Sequence, residues 1–340
     1  MSRDSPNRCS IHLSTRTSAQ RDGPPAAEVV RALITGASGF IGCALSTHLV
    51  AAGEEVHAIV RPESTSWRTA TLHGATIHDG SILDADWLDA TLHAVQPDVI
   101  FHCAAHGAYS FQRDARTIAA TNVVGTTNIL HAAAAAGCAR LVNSGTSSEY
   151  GDCDHAPSES EAPHPNSLYA ATKAAATWLC SISAPDIEVV TLRLYSAYGP
   201  FEDPRRLMPT LCTHALRGEL PPLADPWIVR DFVYIDDVID AYLAAARAPH
   251  PQPIYNVGTG VETSLEALVD LVRDAFHIDV APDWGAYPNR DWDVRCWRAD
   301  ATLIEKDLGW APRRSLRDGL LMFADWISEH SDVYGVGASG

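Results

Sequence analysis

Three glycines between an apolar segment and a helical one constrain the fold of this chain more than any other feature of its sequence. They are Gly36, Gly39 and Gly42, which follow the apolar residues 29–35 and open a predicted helix over 40–52. In such a turn the first glycine allows the tight bend, the second lets backbone approach a pyrophosphate, and the third lets the helix pack closely on the strand. The motif predicts a dinucleotide site at the helix N-terminus, with a purely structural turn as the alternative.

Predicted strands and helices alternate along the chain as far as residue 194. The strands lie at 29–35, 56–60, 98–104, 140–144 and 187–194, and the helices at 40–52, 85–95, 121–136 and 168–181. This alternation predicts an α/β fold, a Rossmann-type doubly wound parallel sheet with helices on both faces. Beyond residue 195 the alternation weakens and prolines become frequent, so we expect a smaller C-terminal substrate-binding lobe over the carboxyl edge of the sheet.

These patterns divide the chain into four parts. Residues 1–28 are rich in Ser, Arg and Pro without periodicity, and we expect a disordered N-terminal extension there. Residues 29–194 form the predicted dinucleotide-binding domain. Residues 195–330 form mainly the substrate lobe, with some segments returning to the main sheet, and 331–340 are expected to be a flexible tail.

Composition excludes several classes of function. The formal charge of −17 argues against nucleic acid as a partner, and no run of about 18 apolar residues predicts a membrane span. The eight cysteines contain no CxxC pair and the fifteen histidines no HExxH motif, so we predict no metal site. We interpret the cysteines as small buried hydrophobes of a cytoplasmic protein. Only two of the 25 basic residues are lysines, Lys173 and Lys306.

One of these lysines belongs to a predicted catalytic group. Tyr169 and Lys173 stand four residues apart, which places them on one face of a helix. A nearby ammonium lowers the pKa of a phenol, so this tyrosine can exchange a proton with a substrate oxygen while hydride moves. The hydroxyl-rich segment that includes Thr146 follows a predicted parallel strand and can contact the same oxygen. The alternative for that segment is a polar turn that caps the strand.

The cofactor preference depends on the end of the second strand. NAD sites carry an acidic residue there for the ribose 2′-hydroxyl, whereas this sequence has Arg61. With no carboxylate beside it, its guanidinium can bind a 2′-phosphate. We therefore favour NADP(H) over NAD(H), with a solvated Arg61, or one stacked on adenine in an NAD enzyme, as the alternative.

Several motifs in a fixed order together give a specific resemblance. They are the glycine turn, residues 122–126 (Asn-Val-Val-Gly-Thr), 146–151, the Tyr169/Lys173 pair, 192–200, 230–238, 256–260 and 308–312. Residues 29–330 thereby resemble the extended short-chain dehydrogenase/reductase family, in its nucleotide-sugar epimerase, dehydratase and ketoreductase branch.

The resemblance implies a role for each matching residue. It makes Tyr169 the acid/base, Lys173 its partner and Thr146 the hydroxyl on the substrate oxygen. Together with the glycine turn and Arg61 argued above, the predicted cofactor contacts are Gly36, Ser38, Gly39, Phe40, Ile41, Gly42, Arg61, Ser81, Ile82, Ala104, Ala105, Asn122, Tyr169 and Lys173. The implied contacts with a nucleotide-diphosphate sugar are His106, Thr146, Ser147, Ser196, Arg230 and Arg290. For both arginines a surface salt bridge is the alternative.

Departures from the family pattern narrow the predicted reaction. A 4,6-dehydratase needs an acid and a base after the threonine, but Ser147 and Ser148 stand there and Glu149 comes one residue late. Ser196 replaces the asparagine common in epimerases. We therefore predict an NADPH-dependent reductase of a nucleotide-activated keto-deoxysugar, of the 4-ketoreductase type. The alternatives are an NAD-dependent 4-epimerase, a reductase of a non-sugar carbonyl and a non-catalytic NAD(P)-sensing protein. Family members commonly dimerise through helices beside the sheet, so a homodimer is expected.

Overall fold

The computed structural model describes residues 30–183, 187–289 and 296–336. The predicted disordered extension over 1–28 and the predicted substrate contact Arg290 lie outside these residues. Within them, no helix is long and apolar enough to cross a bilayer, and no group of three potential ligands could hold a metal ion.

A sheet of seven parallel strands forms the centre of the molecule. In chain order they are β1 (Arg31–Thr35), β2 (Glu55–Val60), β3 (Thr76–Asp79), β4 (Val99–His102), β5 (Arg140–Thr146), β6 (Glu188–Leu194) and β10 (Ile254–Val257). Their order across the sheet is β10-β6-β5-β4-β1-β2-β3, and every neighbouring pair is parallel. The chain proceeds from β1 towards one edge of the sheet and from β4 towards the other. Parallel sheets bind ligands in the crevice at such a switch point.

Helices cover both faces of this sheet, which confirms the predicted doubly wound architecture. On one face pack α1 (Phe40–Ala51) and α7 (Ile235–Arg247), and on the other α2 (Ala85–Val95), α4 (Gly125–Ala135) and α5 (Leu168–Ile182). Alternate strand residues supply the two cores, because successive side chains of a strand point to opposite faces. Ala32 and Ile34 belong to the first core, whereas Leu33 belongs to the second.

The remaining elements form a smaller lobe after residue 195. Its strands are β7 (Ser196–Tyr198), β8 (Val229–Arg230), β9 (Phe232–Tyr234) and β11 (Thr263–Ser264). Strands β7 and β9 pair in parallel, and β8 and β11 pair antiparallel. The helices are α6 (Leu207–Ala215), α8 (Leu265–Phe276), α9 (Thr302–Leu308), α10 (Leu316–Glu329) and α11 (Ser331–Tyr334). Helix α7 and strand β10 come from the same part of the chain but pack with the main sheet.

Three sequence predictions need correction. The helix predicted over 121–136 is instead α3 (Ala115–Ala119), a π-helical turn (Ala120–Val124) and α4. Strand β3 was missed because its side chains are largely exposed, so it lacks an apolar run. The flexible tail predicted over 331–340 is wrong for its described part, since Tyr334 is 6% exposed and its hydroxyl donates to the Glu202 carbonyl.

Candidate active site

The glycine turn forms a closely packed cradle at the start of α1. Gly36 has a φ of +69°, and a side chain there would place Cβ 2.6 Å from the Ala104 nitrogen. At Gly42 a Cβ would lie 2.4 Å from the Gly36 carbonyl oxygen, so helix and turn pack at backbone distance. Gly39 differs, because a Cβ there would meet only the Gly36 oxygen, at 3.1 Å. Its outer side is therefore open for a phosphate to approach the helix N-terminus, as predicted for this turn.

A buried histidine holds the loop after β4 beside this cradle. His102 is fully buried; its Nδ1 lies 2.7 Å from Thr35 Oγ1 and its Nε2 3.1 Å from Thr126 Oγ1. Burial, with a contribution from Lys173, lowers the pKa of His102 to about 3, so the imidazole is neutral. The Ala104 N–H donates to the same Thr35 hydroxyl at 3.3 Å. The predicted contacts at Ala104 and Ala105 thus sit on a loop fixed against the glycine turn.

Asn122 fixes the next part of the same loop. Its amide oxygen accepts from the His106 N–H, and its amide nitrogen donates to the His106 carbonyl, both at 2.8 Å. The same nitrogen donates to Thr172 Oγ1 of α5 at 3.0 Å. The side chain thereby joins the loop to the helix that carries Tyr169. Direct contact of Asn122 with the cofactor stays a prediction.

Tyr169 and Lys173 lie one turn apart on α5, at the carboxyl edge of the sheet. Lys173 is 2% exposed, and none of the described residues accepts a hydrogen bond from its ammonium. Burial lowers the pKa of Lys173. The hydroxyls of a cofactor ribose would supply acceptors for this ammonium. The cradle at Gly39 and this ammonium both fit a bound dinucleotide.

The hydroxyl of Thr146 faces the phenol of Tyr169. Burial raises the pKa of Tyr169 to about 12, and a hydrogen bond with Thr146 opposes that rise, so the lowered pKa that the sequence predicted from the nearby ammonium is wrong for this structure. Thr146 ends β5 and is 8% exposed, and its Oγ1 accepts from the Ser148 N–H at 3.2 Å. The two hydroxyls that were predicted to share one substrate oxygen are therefore brought together.

Glu149 points away from this centre, as its late position in the motif predicted. One carboxylate oxygen accepts from the Thr146 N–H at 2.9 Å, and the other lies 3.0 Å from Nε of Arg193. Ser147 is 5% exposed and Ser148 half-buried. The positions where a dehydratase carries its acid and base thus hold hydroxyls, and the nearest carboxylate is already paired.

The predicted adenosine end of the site requires one correction. Arg61 does have a carboxylate beside it, because its Nη1 lies 3.2 Å from Glu63 Oε1. This pair is largely solvated, with side chains 58% and 67% exposed. Ser81 accepts from the Leu83 N–H at 3.2 Å, and Ile82 is 6% exposed. Glu63 was missed because it stands two positions after Arg61 and reaches its side chain only through a turn of the chain.

The smaller lobe holds two of the predicted substrate contacts, Ser196 and Arg230. Ser196 is half-buried at the start of β7, and its N–H donates to the Asp231 carbonyl. The Arg230 guanidinium lies 5.4 Å from the centre of the Trp297 ring. Asp231 is fully buried and accepts four hydrogen bonds, from the N–H groups of Thr259, Gly260 and Ala299 and the hydroxyl of Thr259. These bonds fix the backbone next to Arg230.

Two aromatic side chains near Arg230 were not predicted from the sequence. The hydroxyl of Tyr195 and Nε1 of Trp297 are buried without a hydrogen-bond partner among the described residues. Both line a cavity of about 10 Å³ that Ser147 and Cys153 also border. A cavity of that size holds about one water molecule. Isolated aromatic residues carry no sequence signal that would have pointed to this arrangement.

A glycine cradle at a helix N-terminus, with Tyr169 and Lys173 one turn apart at the same sheet edge, is typical of enzymes that bind a pyridine dinucleotide. Residues 32–258 match the NAD dependent epimerase/dehydratase family. The chain belongs to that family, in the nucleotide-sugar epimerase/dehydratase branch of the extended short-chain dehydrogenases/reductases.

Relatives within the family have different reactions. The chain is 32% identical to the UDP-glucose 4-epimerase of Mycolicibacterium smegmatis, over 89% of this chain and 100% of that protein. It is also 32% identical to the dTDP-6-deoxy-L-talose 4-dehydrogenase (NAD(P)+) of Kitasatospora kifunensis, over 85% and 93%. The structure of DesIV, a dTDP-glucose 4,6-dehydratase from Streptomyces venezuelae with NAD bound, superimposes with a TM-score of 0.80 at 28% identity, covering 89% of this chain and 98% of that one. Similarity thus establishes the family and its NAD(P) class of cofactor. It does not distinguish the reaction, which depends on the residues of the site.

Proposed function

We propose that this protein reduces the keto group of a nucleotide-linked deoxysugar, with NADPH as hydride donor. The observation that carries the proposal is that Thr146, at the end of β5, and the Tyr169 and Lys173 pair, one turn apart on α5, lie at the same carboxyl edge of the sheet. When bound, the reduced nicotinamide supplies a hydride to the carbonyl carbon. The Tyr169 hydroxyl gives its proton to the carbonyl oxygen, while the Thr146 hydroxyl donates a hydrogen bond to that oxygen. One hydride and one proton convert the ketone into an alcohol.

The neighbours of Thr146 favour reduction over loss of water. Elimination needs a second acid and base next to the sugar, and Ser147 and Ser148 supply neither at neutral pH. The carboxylate of Glu149 is held by the Thr146 N–H and by Arg193. The name of the Kitasatospora relative describes oxidation of a 6-deoxysugar at carbon 4, and the reverse of that reaction is the ketone reduction proposed here.

The proposed preference for NADPH rests on Arg61 even though Glu63 is its neighbour. An ion pair exposed to this extent contributes little to the stability of the protein, about 0–1 kcal/mol. A 2′-phosphate offers more acceptor oxygens than a carboxylate and can replace it at the guanidinium.

We place the substrate diphosphate near Arg230, and Ser147 and Ser196 beside the sugar. Reduced cysteines and a pyridine-nucleotide cofactor agree with a cytoplasmic site for this reaction.

The direct test is oxidation of NADPH, followed at 340 nm, with dTDP- and UDP-4-keto-6-deoxyglucose. We expect turnover with at least one of them. The Tyr169→Phe variant should lose 100-fold or more in kcat, in keeping with the usual contribution of a general acid of about 10²–10⁴. Tyr287→Phe, a change at a tyrosine that is 50% exposed, serves as control and should be unaffected. Full turnover by Tyr169→Phe would refute the proposal.

A second candidate function is an NAD-dependent 4-epimerase. Two observations favour it: the similarity spans the whole Mycolicibacterium epimerase, and Glu63 partly neutralises the guanidinium that would select a 2′-phosphate. Mass spectrometry of the dinucleotide that co-purifies separates the two functions. Retained NAD, together with conversion of UDP-glucose to UDP-galactose and no consumption of NADPH, would support the epimerase and exclude the reductase.

We further propose a homodimer formed through α5. This helix exposes Trp178 and Ile182 by 59% and 69%, and Val124 nearby is 51% exposed. Burying such side chains against a second copy is favourable by roughly 1.5–3 kcal/mol each. Light scattering should show a dimer that Trp178→Glu converts to a monomer, whereas Leu321→Glu on α10 should leave it intact. A monomeric unmodified protein would contradict this assembly.

A further inference from the structure

A short segment after β2, residues 66–68, lies between the glycine turn and the smaller lobe. The Ser66 hydroxyl donates to the Ser38 carbonyl of the glycine turn at 2.8 Å. Two nitrogens of Arg68 donate to the same hydroxyl oxygen, the backbone N–H at 3.4 Å and Nη1 at 3.5 Å. The Arg68 guanidinium is therefore two hydrogen bonds away from the turn that is predicted to hold the cofactor pyrophosphate.

The same guanidinium also contacts the smaller lobe. Nε of Arg68 donates to the Phe201 carbonyl at 2.5 Å. Phe201 lies in a turn and has a φ of +72°, a left-handed conformation that is strained for a residue with a side chain. Its ring stacks on Trp67 and meets Trp326 edge-on, with centroids 6.1 and 5.2 Å apart. Such a conformation persists only where its surroundings hold it, and Arg68 holds its carbonyl.

The residues after Phe201 reach the loop that follows β4. Arg206, five positions further on, donates from Nη1 to the Ala108 carbonyl at 3.5 Å, and its guanidinium lies 5.7 Å from the centre of the Tyr109 ring. The beginning of that loop is bonded to the end of β1, next to the glycine turn. The glycine turn, the segment after β2, the lobe and the loop after β4 therefore form a closed ring of contacts.

Arg68 is a buried cation in this ring. It is 7% exposed, and among the described residues no carboxylate lies within ion-pair distance of it. Its Nη2 is buried without a hydrogen-bond partner in the same part of the chain, and its guanidinium lies 4.9 Å from the centre of the Trp67 ring. A buried charge without a counter-charge is costly, and phosphates bound at the adjoining turn would offset that cost. A bound dinucleotide would thus stabilise the guanidinium that holds Phe201.

We propose that Arg68 is a positioning residue that couples two binding sites, the dinucleotide cradle at the glycine turn and the nucleotide-sugar site of the smaller lobe. Each ligand then tightens the binding of the other by the same factor, because linkage between two sites is reciprocal. The coupling serves the reaction, since hydride transfer needs both ligands in place at once. The inference rests on the proposed nucleotide-sugar substrate, whose nucleoside diphosphate is the ligand of the lobe.

The test measures binding without turnover, by calorimetric titration of NADP⁺ with and without saturating UDP or dTDP. We expect one of these nucleoside diphosphates to tighten NADP⁺ binding by the parent about fivefold or more, as couplings between sites commonly do. Ser66→Ala and Arg68→Gln each remove one link and should leave a change of less than about twofold. The matched control is Arg140→Gln, at an arginine that is also buried (9% exposed) but begins β5, at the sheet edge opposite to Thr146. It should keep the coupling of the parent.

Two outcomes would overturn the inference. The first is a parent protein whose affinity for NADP⁺ neither nucleoside diphosphate changes, and the second is retention of the parent's coupling by Arg68→Gln or Ser66→Ala. Because Ser66→Ala removes a single hydroxyl, it decides the question even if Arg68→Gln does not fold. The double variant should lose no more coupling than either single variant, since both substitutions act on one chain of hydrogen bonds.

Failure of this inference is distinct from failure of the proposed function. Reduction of the keto-sugar by a protein whose variants keep the parent's coupling refutes only the role of Arg68. A parent that couples NADP⁺ to a nucleoside diphosphate through Arg68 but reduces no keto-sugar refutes only the proposed reaction.

Discussion

The carboxylate of Glu149 and the guanidinium of Arg193 form a buried ion pair directly behind Thr146. The two side chains are 0% and 3% exposed, with 3.0 Å between Oε2 and Nε. The guanidinium also lies 4.5 Å from the centre of the Tyr150 ring. The pair joins the ends of β5 and β6, and its second carboxylate oxygen holds the Thr146 N–H. The position of the Thr146 hydroxyl is therefore set by a pair that takes no part in the proposed chemistry.

Removing one partner of this pair should destabilise the protein strongly. Glu149→Gln leaves the Arg193 charge buried without compensation, and such changes cost about 3–5 kcal/mol. The matched control is Glu55→Gln, which breaks an exposed pair with Arg31 at a similar distance of 2.9 Å and should lower the free energy of unfolding far less. Urea unfolding of both variants measures the difference. Equal decreases in the free energy of unfolding would show that burial does not make the Glu149–Arg193 pair more important for stability than the exposed pair.

The two lysines of the chain provide a second matched pair of variants. Lys173 is 2% exposed, and a guanidinium is larger than the ammonium it would replace there. Lys173→Arg should lower kcat by about 100-fold and weaken dinucleotide binding. Lys306→Arg changes an exposed residue of α9 and should behave as the parent. An active Lys173→Arg variant would show that the scarcity of lysine reflects codon usage alone.

Substitutions of Arg61 and of Glu63 should have opposite effects on the affinity for NADPH. Arg61→Ala removes the predicted contact with the 2′-phosphate and should weaken NADPH binding about tenfold, while NADH binding stays the same. Glu63→Ala frees the guanidinium and should strengthen NADPH binding. Calorimetric titration with both cofactors measures these effects. If Arg61→Ala weakens the binding of NADH and of NADPH equally, Arg61 does not contact the 2′-phosphate.

Glu202 should make stability depend on pH. Its pKa rises from an ordinary value of 4.5 to about 8 in the folded protein, chiefly by burial. The folded state therefore binds this proton more tightly, so its contribution to stability is complete below pH 4.5 and is lost as pH rises through 8. Between pH 5 and 9 the parent should lose about 2–4 kcal/mol relative to Glu202→Gln. Urea unfolding at both pH values tests this, with Glu219→Gln as the exposed control. A constant difference between parent and Glu202→Gln would contradict it.

The fold could be predicted because its signals are local. Helix α2 at Ala85–Val95 and helix α5 at Leu168–Ile182 agree with the predicted spans within one residue at each end. The apolar periodicity and the flanking residues of these helices lie in consecutive positions, so the sequence alone reveals them. The π-helical turn at Ala120–Val124 was not predicted; the residue that follows it, Gly125, packs against Ile82, which lies 43 positions earlier in the chain. Periodicity alone does not reveal such a contact.

Part of the candidate site could also be recognised from the sequence, although the roles of its residues stay predictions. Tyr169, Lys173 and Thr146 were singled out by their spacing and by their position after a strand. Arg206 and Tyr109 were not, because they meet only when the smaller lobe folds over the loop after β4. The partner of Arg61 was missed for a related reason, since a turn two residues long brings Glu63 back to it.

The measurement that tests the central claim most directly is transfer of deuterium from (4-²H)NADPH, using the two C4 epimeric forms of the label, to dTDP-4-keto-6-deoxyglucose. The account predicts that one form delivers its deuterium to the carbonyl carbon of the sugar, that the product is an alcohol, and that Tyr169→Phe stops the transfer. A product without deuterium from either form, or sugar conversion that consumes no NADPH, would contradict it.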